Sequence, residues 1–161
     1  MEEQHEERHQ TVLVELGRRR AVVDELIAPL VRELWIADIS TTMSCQGEPQ
    51  GMIWIAFDDA AMLTRFLNVV AEFEADPNSL YNRICRQFPV DDEDRVWEFG
   101  LLPDDAAFCP EESDGENPKL VVRGAPTDVF LLMSVRFPRS DLELVLQRVR
   151  RYNRRSLPSA S

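Results

Sequence analysis

Long apolar runs are missing from this 161-residue chain. None approaches the roughly 20 residues that a membrane-spanning helix needs, so no membrane partner is expected. The N-terminal stretch from Met1 to His9 is acidic and has no apolar core, which excludes an ordinary secretory signal. A cytoplasmic protein is the expectation. Cysteine is scarce: Cys45, Cys85 and Cys109 are an odd number at wide spacing, with no Cys-x-x-Cys pair. This pattern fits reduced thiols rather than a disulfide scaffold or a zinc knuckle. Histidine is scarcer still, with His5 and His9 alone, both in the polar N-terminus. Positive charge is in deficit, and the net charge of −11 argues against broad nucleic-acid binding. Phosphate contacts need clustered Lys and Arg.

The hydrophobic fraction of 44% is ordinary and is enough for one core. A chain of this length is read as one domain. Residues 1–10 are expected to be a flexible acidic N-terminus, 11–155 the domain, and 156–161 a disordered tail. The segment 103–118, rich in Asp, Glu, Gly and Pro, reads as a mobile loop. Charge is unevenly spread. Asp91 to Glu116 holds eleven acids and one base, a net −10, while Arg136 to Ser161 holds seven bases and two acids, a net +5. Solvated faces account for both blocks; the sharper reading is a pair of docking surfaces.

Thr11 to Leu16 is β-branched and short, and reads as a strand stopped by Gly17. Arg18 to Arg20 is read as a turn into Ala21–Val23, with Asp24 as N-cap of a helix ending near Ala37–Asp38. Leu26, Leu30 and Leu34, with Ile27 and Val31, give that helix its apolar stripe. Thr41–Cys45 and Met52–Phe57 are read as strands of one hairpin, linked through Gly47, Pro49 and Gly51. Met52–Phe57 is apolar on both faces, which predicts a central strand. Asp58 and Asp59 open a helix with Met62, Leu63, Phe66, Leu67, Val70 and Phe73 on its buried face, ended by Pro77. Leu80–Phe88 reads as a short helix and Arg95–Leu102 as a strand centred on Val96 and Trp97. Leu120–Val122 is read as a brief strand, and Val129–Phe137 as a longer one. Ser140 and Glu143 spell a capping box for a last helix, with Arg150 to Arg155 at its C-terminal end. This order predicts an α+β two-layer sandwich with a mostly antiparallel sheet, helices mainly on one face, and ferredoxin-like connections as the first choice.

The most distinctive stretch is Thr41-Thr42-Met43-Ser44-Cys45-Gln46-Gly47. It puts a thiol, hydroxyls, an amide and a permissive glycine at one strand end. Thr42, Ser44, Cys45, Gln46 and Gly47 are therefore the expected binding residues. Cys45 is the candidate nucleophile, but thiol catalysis ordinarily needs a His base, and both His lie in the N-terminal tail. A half-buried packing thiol is the better reading. Convergence of Arg136, Asp38 or Gln46 on Cys45 at a pocket mouth would favour an enzyme. His5-Glu6-Glu7-Arg8-His9 matches the His-Glu-x-x-His pattern of zinc proteases, yet its polar surroundings offer no core to anchor such a helix. The Asp58-Asp59 and Asp91–Asp94 clusters lack calcium-loop spacing. Neither metal nor cofactor is expected. Trp54, were it to stand on an open sheet face, would mark a binding surface.

Leu34, Trp35, Ile39, Thr41, Ser44, Cys45 and Gly47 follow an order that resembles small uncharacterised bacterial and phage proteins: a helix ending in Leu-Trp, then Ile-x-Thr-x-x-Ser-Cys-x-Gly, then an apolar strand. That resemblance covers about a quarter of the chain and implies no activity. Thr41, Thr42, Ser44, Cys45 and Gly47 also resemble the Thr-Thr-Ser-Ser-Cys-Ser-Gly-Arg motif of wybutosine-synthesising tRNA methyltransferases. Met43, Gln46 and Glu48 depart from it, and Glu48 replaces the Arg that a tRNA enzyme would use near phosphate. The functional expectation is a small acidic binding or accessory protein. It would act on a protein partner, with decoy or inhibitor as a variant, or hold a small ligand. The alternatives are an enzyme using Cys45 on a small metabolite or nucleotide, and an RNA-modification protein. The sequence leaves oligomeric state open.

Overall fold

The computed structural model describes residues 9–47, 51–76, 78–86, 96–104 and 130–156. The first strand, β1, is Thr11–Leu16, and it pairs with β2, Arg19–Asp24, in an antiparallel hairpin. Leu16 lies opposite Arg19, so Gly17 and Arg18 form a two-residue turn, and Gly17 takes a positive φ of 60°. Arg19 and Arg20 therefore belong to a strand rather than a turn. The reason is the partner: Val12 lies opposite Val23 and Val14 opposite Ala21, giving the hairpin one apolar face.

Helix α1 is Ala28–Ile36, with Pro29 in the first turn, where a missing N–H costs nothing. Its N-cap is Ile27, with no side-chain cap. The expectation that Asp24 caps this helix is corrected: Asp24 ends β2, three residues too early, and its carboxylate accepts from the backbone of Gln46. Helix α1 buries two stripes. Leu30 and Leu34 join the main core, while Ala28, Val31 and Trp35 pack under the hairpin.

Strands β3 (Thr41–Cys45) and β4 (Met52–Phe57) form the expected hairpin. With β5 (Glu98–Asp104) and β6 (Phe130–Pro138) they make one antiparallel sheet in the order β3-β4-β6-β5. The fold is α+β, with two antiparallel sheets. Among the described residues β1 lies outside the four-stranded sheet and pairs only with β2. β4 is central, as its apolar sequence predicts. Ile53, Ile55 and Phe57 of β4 and Val135 and Phe137 of β6 share the core face.

Against that face pack α1, α2 (Ala60–Val70), α3 (Leu80–Cys85) and α4 (Leu142–Ser156). Asp59 caps α2 by accepting from the Met62 N–H at 2.9 Å, as expected. The buried face of α2 is Leu63, Phe66 and Val70. Phe73 is not part of it: the helix stops at Val70, and Phe73 is 76% exposed with its ring edge against Tyr81. Trp97 precedes β5 instead of centring it, and is buried against Phe66 and Phe137. Ser140 sits inside a short 3-10 turn, Arg139–Asp141, rather than ahead of α4, so the capping box is not formed as read. Helix α3 is shorter than its predicted span. Pro77, Asp91–Asp94, Leu120–Val122 and most of the 103–118 loop lie outside the described residues.

Candidate functional site

Among the described residues β3 is an edge strand, bonded only to β4. Its register shifts between Thr41 and Met43, so an irregularity sits at Thr42. Thr41 is committed to structure, because its hydroxyl accepts from Trp35 Nε1 at 3.0 Å. Beyond the irregularity, Met43 lies opposite Ala56 and Cys45 opposite Trp54. Trp54 in turn lies opposite Arg136, and Arg136 opposite Glu98. A row Cys45–Trp54–Arg136–Glu98 thus crosses the sheet face turned away from the helices. Trp54 is half-buried there.

The hairpin approaches β3 and leaves a groove of about 310 Å³. Thr42, Met43, Ser44 and Trp54 line one wall, and Val22, Val23 and Trp35 the other. A second hollow of about 260 Å³ lies across the sheet between Trp54, Arg136 and Glu98, over Gly100. A Cβ at Gly100 would stand 2.9 Å from Ser134 Oγ, so glycine keeps that floor open. Larger hollows occur elsewhere, one of about 460 Å³ beside Arg65 and Tyr152 and one of about 540 Å³ between the hairpin and α1. The β3 groove differs from these in joining apolar and hydroxyl side chains along a strand edge that is unpaired among the described residues.

The end of β3 is locked to the end of β2. The Gln46 N–H donates to Asp24 Oδ2 at 2.8 Å, and the Leu26 N–H donates to Gln46 Oε1 at 3.2 Å. Gln46 is thus a latch between strands, with its carbonyl oxygen already engaged. Gly47 turns the chain with φ 63° and its N–H donates to Cys45 Sγ at 3.4 Å. Cys45 is half-buried.

His9 is set beside the end of β2. It stands just before β1, and the hairpin register carries it past Asp24, with the Glu25 N–H donating to Gln10 O at 2.8 Å. His9 Nδ1 lies 3.4 Å from Asp24 Oδ2, and the two side chains are 23% and 15% exposed. The ligand atoms of His9, Asp24 and Cys45 all lie within 4.8 Å of one another. The sequence reading left Cys45 without a His; the fold supplies one. The missed signal was the hairpin: two residues of turn at Gly17-Arg18 fix His9 beside the end of β2, and only recognition of β2 would have shown it. Asp38 and Arg136 do not converge on Cys45. Asp38 pairs with Arg19 at 3.0 Å and Arg65 at 3.8 Å, and Arg136 is separated from Cys45 by Trp54.

The chain is 26% identical, over 130 residues, to an uncharacterized protein, R428, of Acanthamoeba polyphaga mimivirus. The match covers 78% of this chain and 60% of the viral protein, so the chain spans less than two thirds of that relative's length. No protein-family profile and no solved structure matches the chain. No described helix is long and apolar enough to cross a membrane.

Proposed function

We propose that this chain is a small acidic binding protein that holds an extended segment of a protein partner in the groove between β3 and the β1–β2 hairpin. The carrying observation is an edge strand whose Thr42 and Ser44 line a groove floored by apolar side chains. An edge strand offers main-chain hydrogen bonds to an extended peptide, and alternate side chains supply selectivity. Val22 is 68% exposed and Met43 47%, apolar surface that a partner would cover. Immobilised wild-type chain should enrich a partner from native cytosol at low salt. Thr42→Arg, which fills the groove, should lose it, while Phe73→Arg, on a distant exposed site, should keep it. No enriched partner, or capture indifferent to Thr42→Arg, would sink this reading.

The rival is an enzyme in which Cys45 attacks a small metabolite or nucleotide. The His9–Asp24 pair beside the thiol favours it. None of the hollows described above is lined by Cys45, His9 or Asp24. Binding is therefore the preferred reading. Iodoacetamide labelling of Cys45 much faster than free cysteine would reverse that preference.

A further inference from the structure

We infer that His9, Asp24 and Cys45 form a site for one borderline transition-metal ion, with zinc as the fitting occupant. The three residues come from separate places in the chain, ahead of β1, at the end of β2 and at the end of β3. Yet their ligand atoms lie within 4.8 Å of one another. Zinc bonds of about 2.0–2.3 Å set neighbouring ligand atoms roughly 3–4 Å apart. Small side-chain rotations close that difference.

The donor set decides the metal class. One imidazole nitrogen, one carboxylate oxygen and one thiolate sulfur suit zinc, whereas calcium and magnesium take oxygen ligands. The supporting contacts fit the same role. The Gln46 N–H orients the Asp24 carboxylate, and the Gly47 N–H donates to the Cys45 sulfur and fixes its position. On binding, the metal replaces the thiol proton, which passes to solvent. Three protein ligands leave a fourth position for water or for a group from a partner. None of the three residues lines the β3 groove, so this inference stands or falls apart from the proposed partner.

The test uses the untagged, reduced full chain, with Co²⁺ as the spectroscopic probe and Zn²⁺ followed by calorimetry. The expected result is one ion per chain and a sulfur-to-cobalt charge-transfer band. Cys45→Ser should abolish the band, and both it and His9→Gln should weaken binding roughly tenfold or more. Cys85→Ser, at an exposed thiol outside the site, should change neither. His9 lies ahead of β1 and outside both apolar clusters, so its variant tests the site even if Cys45→Ser perturbs the fold. Absence of saturable binding, a band that survives Cys45→Ser, or affinity unchanged in His9→Gln would overturn the inference.

Discussion

Two glycines share a positive φ but differ in their surroundings. Gly17 has φ 60° with nothing within 4 Å of a would-be Cβ. Gly47 has φ 63°, and its Cβ would fall 2.4 Å from the Met52 carbonyl oxygen. The left-handed backbone alone costs an L-residue about 1–2 kcal/mol. Gly17→Ala should lose about that much. Gly47→Ala should lose roughly 1–3 kcal/mol more, because a backbone oxygen must move. Urea midpoints of the two variants measure the difference, and equal losses would show that the clash relaxes freely. At the same scale, the Tyr152 phenol is held below its ordinary value, first by a hydrogen bond from Arg65 and then by Ser156. Its folded pKa is lowered, so the fold favours the phenolate. The stability it adds is full above the unfolded pKa and is lost as pH falls through the folded value. In a Tyr81→Phe background, absorbance titration follows Tyr152 alone, since the chain has two tyrosines. Arg65→Met should move that titration upward.

Asp141 ties three elements together. Its carboxylate accepts from Arg83 Nη1 of α3 at 2.5 and 2.6 Å, and from Trp97 Nε1 ahead of β5 at 3.0 Å, while its own turn leads into α4. Asp141 is buried and Arg83 mostly so. Asp141→Ala would leave a guanidinium and a buried indole N–H without their acceptor, a loss of about 3–5 kcal/mol. Arg151→Ala breaks a pair with Glu72 in which both partners are substantially exposed, and should cost less than about 1 kcal/mol. Equilibrium unfolding of the two variants would contradict this ranking if their losses were similar. The basic end of the chain is likewise drawn into the fold. Arg148 bonds Glu74 and the Val70 carbonyl, and Arg150 pairs with Glu33. Part of the positive block is thus neutralised internally, which weakens its reading as a free docking surface.

These contacts show where sequence reading succeeds. Strands β1, β3, β4 and β6 and helices α2 and α4 were legible because apolar periodicity is a local signal, as is the Asp59 cap of α2. Strand β2 was not: Arg19-Arg20 looks like a turn until Leu16 and Glu15 are set opposite them. Phe73 continued the apolar period of α2, but the period carries no information on where Ala71 leaves helical geometry. At the site, Cys45, Gln46 and Gly47 were found because they are contiguous. His9 and Asp24 were not assigned to it, because a site assembled across a hairpin depends on pairing, which is a long-range property.

Among the described residues, the molecule has two apolar clusters, and α1 belongs to both. The larger lies between the four-stranded sheet and the helices. The smaller is Val14, Val23, Ala28, Val31 and Trp35, under the hairpin. A two-stranded hairpin is marginal on its own, so β1 and β2 depend on that small cluster and on the Asp24–Gln46 latch. The hairpin should therefore open at lower free energy than β4 and β6. Val14→Ala removes roughly 1–2 kcal/mol of packing from the small cluster only. Amides of β1 and β2 should then exchange about tenfold faster, at 1.4 kcal/mol per decade, while those of β4 and β6 keep their rates. A uniform acceleration across the whole sheet would show instead that hairpin and core open as one unit. Zinc held by His9, Asp24 and Cys45 would bind the hairpin to β3 directly, so its addition should slow hairpin exchange selectively. In Cys45→Ser that slowing should vanish, which links the stability of the groove wall to occupation of the metal site.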